Sequence, residues 1–209
     1  MKTLQPSQSE YDPIGKWLFI GDSYCTHGGE PDLPSLIAKE IGIKEKSIIR
    51  KCVGGTGLTL QKDDEDKRFY TLVQDMEKDE NVHNILIIGG INNDSKGAGE
   101  PVENEMKRLA DFLKKTFPNA TIFYAIPNWH ATEKESSPTY QTAYDWQNRI
   151  LRRLPLYQSA CEENGIVFLY NVTECLHGKK NAKYFTSDGH HPSEAGKKKI
   201  AKAVAKNFI

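Results

Sequence analysis

Short apolar runs alternate with longer amphipathic stretches along this chain. The runs fall at 17–20, 47–49, 84–88, 121–126 and 166–169. Apolar runs bounded by turn residues read as buried strands. Between them, apolar positions recurring at three and four predict helices over 33–41, 68–78, 102–117, 142–164 and 193–207. Pro192-Ser193 suits the opening of the last helix, and Asn164-Gly165 suits the end of the one before it. Five strands separated by helices predict a mostly parallel, doubly wound sheet. With right-handed crossovers, the carboxyl ends of all five strands share one edge. In open α/β sheets that edge is where ligands and chemistry collect.

The glycine-rich polar segments fall at that edge. Gly21-Asp22-Ser23 follows the first run, Val53-Gly54-Gly55-Thr56-Gly57 the second, and Gly89-Gly90-Ile91-Asn92-Asn93-Asp94 the third. Pro127-Asn128-Trp129-His130 follows the fourth, and Ser187-Asp188-Gly189-His190-His191-Pro192 precedes the last helix. Gly21-Asp22-Ser23 by itself makes an ordinary strand-to-loop turn. The convergence of the other segments on the same edge raises Ser23 to a candidate nucleophile.

Composition narrows the setting. The 209 residues suit one domain, read here as 15–209 behind an irregular N-terminal extension, 1–14. Lysine plus arginine and aspartate plus glutamate both number 28, so the formal charge is zero and no basic face for nucleic acid is expected. Asp63-Asp64-Glu65-Asp66 and Lys197-Lys198-Lys199 read as solvated charge runs. No run reaches the length of a bilayer span. The polar start lacks an apolar signal core, so the chain as written is expected in the cytoplasm, or outside the cell if a signal has been removed. Cys25, Cys52, Cys161 and Cys175 lack metal or redox spacing, and Cys25 reads as a small buried residue. No metal and no cofactor are expected.

A serine hydroxyl needs a base to act as nucleophile. His191 is the candidate base, and Asp188, three residues earlier, can accept the other imidazole N–H and fix its tautomer. The developing oxyanion needs donors. The backbone N–H of Ser23, the N–H of Gly57 and the side-chain amide of Asn92 can supply them.

With these residues in place, the chain resembles the SGNH hydrolases, also called GDSL-like lipases and acylhydrolases. The matching blocks are Gly21-Asp22-Ser23, Gly54-Gly55-Thr56-Gly57, Gly90-Ile91-Asn92 and Asp188-Gly189-His190-His191. They occur in family order and span nearly the whole chain. The resemblance implies a flavodoxin-like three-layer α/β/α sandwich. It also implies Ser23 as nucleophile, Gly57 and Asn92 as oxyanion donors, and Asp188 with His191 as the base pair. Asn93 intervenes before Asp94, so the oxyanion amide is Asn92 or Asn93, and spacing from Gly90 favours Asn92. The Asp-x-x-His spacing and the following Pro192 favour His191 over His190. Cys52 stands where relatives often carry an asparagine ahead of the glycine block.

Tyr24, Asn93, Trp129 and His190 are candidates for substrate contact, and Tyr184 for the rim. The expected activity is ester hydrolysis through an acyl-enzyme, with carbohydrate O-deacetylation first by analogy with the family. Short-chain esterase, lysophospholipase or thioesterase activity on the same site is the alternative. A carbohydrate-binding module without catalysis is the reading from a different class.

Overall fold

The computed structural model describes residues 15–26, 29–59, 67–94, 101–127, 138–176, 182–186 and 191–209. Five parallel strands form one sheet in the order β2-β1-β3-β4-β5: β1 Lys16–Gly21, β2 Ile48–Cys52, β3 Val82–Ile88, β4 Thr121–Ala125 and β5 Val167–Phe168. The helices are α1 Ser23–Thr26, α2 Leu33–Ile41, α3 Phe69–Val73, α4 Val102–Thr116, α5 Pro138–Glu163, α6 Tyr170–Glu174 and α7 Glu194–Ala205. They cover both sides of the sheet: α2 packs on α7, while α4 packs on α3 and α5. This is the expected doubly wound α/β architecture.

Burial explains the pattern. A parallel sheet covered on both faces reads as continuous apolar sequence. Trp17, Leu18, Phe19 and Ile20 of β1 and Ile85, Leu86, Ile87 and Ile88 of β3 are completely buried. β2 is an edge strand and only half-buried. It runs on through Arg50 and Lys51, whose charges suit an exposed edge and broke the apolar run that predicted it. Helix ends follow local chemistry. Asp32 caps α2 by accepting from the Ser35 N–H at 2.8 Å, and Gly42 closes it at φ +78°. Ser193 caps α7, and Gly165 follows α5 at φ +61°. α3 is shorter than predicted because only Phe69 and Val73 anchor it in the core. The short helices α1 and α6 carry too little pattern to be read from sequence.

Register brings the candidate segments level. Gly21 of β1 pairs with Cys52 of β2 and Ile88 of β3, and Ile88 pairs with Ala125 of β4. The chain therefore leaves the sheet at Asp22, Val53, Gly89 and Ile126 at one height. Because β2 and β3 flank β1, the residues after β1 sit at the topological switch point.

Candidate active site

Ser23 is the first residue of α1 and lies half-buried at that switch point. As the first helical residue it leaves its N–H without an intrahelical partner. The loop after β2 passes over it: a Cβ built on exposed Gly54 would lie 3.8 Å from Ser23 Cβ.

Asp22 stands in the turn between β1 and α1. It is completely buried. Its Oδ1 accepts from the Tyr24 N–H at 2.9 Å and its Oδ2 from the Gly90 N–H at 3.2 Å. Among the described residues no cation pairs with it. Burial raises its pKa from 3.8 to about 7, against the backbone N–H groups, which favour the anion.

His191 sits just before α7, half-buried. Its carbonyl accepts from the Thr186 N–H at 2.9 Å, and Phe185 bridges Pro192 in antiparallel fashion, so the segment is pinned before the helix starts. Its ring lies 6.5 Å from the Tyr24 ring, which brings it beside the nucleophile turn. Asp188, His190 and Trp129 lie outside the described residues.

Tyr24 is 1% exposed, so it is not on a substrate-facing rim; it fills the space between α1 and His191. Asn93 is likewise not a substrate contact. It is 1% exposed, its Oδ1 accepts from the Leu58 N–H at 2.6 Å, and its Nδ2 donates to the Tyr157 hydroxyl at 2.6 Å. Both ends of that amide are engaged in the interior. Half-buried Asn92 instead donates from Nδ2 to the Thr56 carbonyl at 2.9 Å.

Gly57 touches this same pair. A Cβ there would fall 2.5 Å from Asn93 Oδ1 and 3.6 Å from Asn92 Cβ, so the close approach requires glycine. Its N–H, however, donates to the Lys67 carbonyl at 2.9 Å. Thr56 O and Gly57 N–H belong to one planar trans peptide and point in opposite directions. The Asn92 amide therefore meets the carbonyl face of this peptide, with the Gly57 N–H on the far side. The sequence expectation that both donate to one oxyanion is not met in this conformation.

Two further residues escaped sequence reading. Thr56 is fully buried, and its hydroxyl lies 3.1 Å from the Gly21 carbonyl and 2.7 Å from that of Val53, holding the glycine loop to β1. Lys197 belongs to a charge run read as solvated, yet it is 1% exposed. Its Nζ donates to the carbonyls of Gly29 and Pro31 at 2.9 and 2.8 Å. It joins α7, behind His191, to the loop that follows Ser23. Lys198 does pair at the surface, with Glu194. Cys25 is 1% exposed, and a hydrogen bond with Cys52 together with burial pushes its thiol well above the usual range, which keeps it from competing as a thiolate. Among the described residues no helix is long and apolar enough to cross a membrane.

No family model and no curated protein matches the chain. Solved structures do. A carbohydrate acetylesterase from Sinorhizobium meliloti superposes with a TM-score of 0.63 at 15% identity, covering 92% of this chain and 97% of that one. A family two carbohydrate esterase from Clostridium thermocellum, in complex with cellohexaose, gives 0.63 at 14% identity, covering 95% of this chain and 65% of the other. A candidate GDSL-like lipase from Parabacteroides merdae gives 0.53 at 15% identity, with 93% and 95% covered. The chain thus has a doubly wound α/β fold of the kind found in lipases and carbohydrate esterases. The likeness is one of fold, and this fold is the one that the resemblance of the sequence blocks implies.

Proposed function

We propose that this protein is a serine ester hydrolase that works through an acyl-enzyme, and that its substrate is an O-acetylated carbohydrate. The observation that carries the reading is the placement of Ser23 at the switch point, with the Asn92 loop bonded to its turn through Asp22 and His191 packed against Tyr24. Ser23 Oγ attacks the ester carbonyl while His191 takes its proton, and Asp188 holds the imidazole. The oxyanion is held by the Ser23 N–H and by the side-chain amide of Asn92, which in the absence of substrate donates to the Thr56 carbonyl. The Gly57 N–H joins them only if the Thr56–Gly57 peptide turns over. His191 then protonates the leaving alcohol, and water activated by the same imidazole releases acetate.

The carbohydrate choice rests on the two esterases among the structural neighbours, one of them with an oligosaccharide bound. A short-chain esterase or lipase acting on the same serine is the second reading, favoured by the lipase-like neighbour and by Val53, half-exposed beside Gly54 at the site's edge. A fluorophosphonate probe tests the chemistry: it should label wild-type protein and not Ser23→Ala. Absence of label on wild type sinks the hydrolase reading and leaves a binding module. Rates on acetylated sugars against aryl esters of increasing chain length then decide the substrate.

A further inference from the structure

We propose that Asp22 is a positioning residue: its buried carboxylate ties the nucleophile turn to the Asn92 loop and so sets where Ser23 stands relative to the oxyanion amide. This rests on the proposed function. The two turns lie 68 residues apart in sequence and leave the sheet from neighbouring strands. The carboxylate spans them, since one oxygen holds the N–H next after Ser23 and the other holds the N–H two residues before Asn92. The chain is shaped around this contact. Gly89 and Gly90 adopt φ +148° and +147°, and a Cβ on Gly89 would fall 2.5 Å from Asp22 Oδ2.

A capping role alone does not require an acid. Asparagine or serine can accept from the Tyr24 N–H. Serving two N–H groups from two segments takes two acceptor oxygens, which only a carboxylate offers; an amide in its place would turn an NH2 towards one of them. A buried carboxylate without a cation is costly. Among the described residues its charge holds the protons of Cys25 and Tyr124 more tightly, neither of them a cation, and His191 lies beyond the Tyr24 ring. Protonation of the carboxyl would convert one acceptor to a donor facing an N–H and loosen the tie. Its pKa, raised by burial to about 7, places that event near neutrality.

The experiment compares wild type and Asp22→Asn as full-length chains, using an aryl acetate. In Asp22→Asn the expected result is a kcat loss of about 10²-fold, the scale of an ångström of misplacement, with KM changed less than threefold. In wild type, log kcat/KM should fall on the acid side with a slope approaching two, and in the variant with a slope of one. A folded variant with kcat within twofold of wild type overturns the proposal, as does a wild-type slope of one if the variant fails to fold. The side-chain amide resonances of Asn92 give a reading independent of activity. They should shift in Asp22→Asn, and unchanged resonances overturn the coupling. Wild type that neither takes the fluorophosphonate nor cleaves any ester condemns the hydrolase reading instead, with the Asn92 resonances still deciding whether Asp22 sets that loop.

Discussion

The side-chain amide of Asn92 donates to the carbonyl of Thr56 at 2.9 Å, while the N–H of the same peptide unit, on Gly57, donates to Lys67 at 2.9 Å. The structure thus satisfies one of the proposed oxyanion donors internally and aims another away. When a phosphonate adduct forms on Ser23, its oxyanion competes for the same donors. Glycine at 57 lets the peptide turn without a side-chain penalty at positive φ. In the adduct the Gly57 amide proton is expected to move downfield and lose its bond to Lys67. A Gly57 amide signal that stays put on adduct formation would show that Ser23 and Asn92 act without it.

Asn92 and Asn93 are separable by experiment. Asn92 is half-buried and proposed to face the oxyanion, so Asn92→Ala should lower kcat by about 10²–10³ with a small change in stability. Asn93 holds Leu58 and Tyr157 in the interior. Asn93→Ala should cost about 2–4 kcal/mol of stability by leaving buried groups unpaired. Thermal melts beside kcat measurements check both, and the reverse pattern would exchange the two roles.

How far the site was legible follows from what each residue contributes. The strands and long helices announce themselves because a fully covered parallel sheet demands unbroken apolar runs, as at Trp17–Ile20 in β1. Ser23, Asn92 and His191 could be singled out as candidates because motif spacing and strand order determine which loops share an edge. Asn93 and Tyr24 were misplaced because a polar or amphipathic residue one position along a loop can face inward or outward, and spacing does not say which. The orientation of the Thr56–Gly57 peptide left no trace in composition. Lys197 was hidden in a run of three lysines, since the run looks the same whether one member is buried or all are exposed.

Lys197 yields a further test. Its ammonium serves the carbonyls of Gly29 and Pro31 from a site that is 1% exposed. Lys197→Met keeps the apolar stem and removes the donor. Leaving those carbonyls unpaired should cost about 2–4 kcal/mol. Lys198→Met, at the exposed pair with Glu194, should cost less than about 1 kcal/mol. Urea unfolding of the two variants checks the contrast, and equal losses would mean that the buried contact is weak.

Asp22 makes a prediction about stability as well as rate. Its carboxyl titrates at about 7 in the folded protein against 3.8 in the unfolded chain. Between those values the folded state holds a proton that the unfolded state has released. Stability from this group is therefore full below about pH 4 and lost as pH rises towards 7. The span corresponds to roughly 4 kcal/mol at most. Asp22→Asn cannot titrate there, so its unfolding free energy should vary less with pH between 4 and 7 than that of wild type. Urea unfolding across that range measures the difference. Parallel curves for the two proteins would mean that the carboxyl titrates alike in both states and that its burial imposes no penalty.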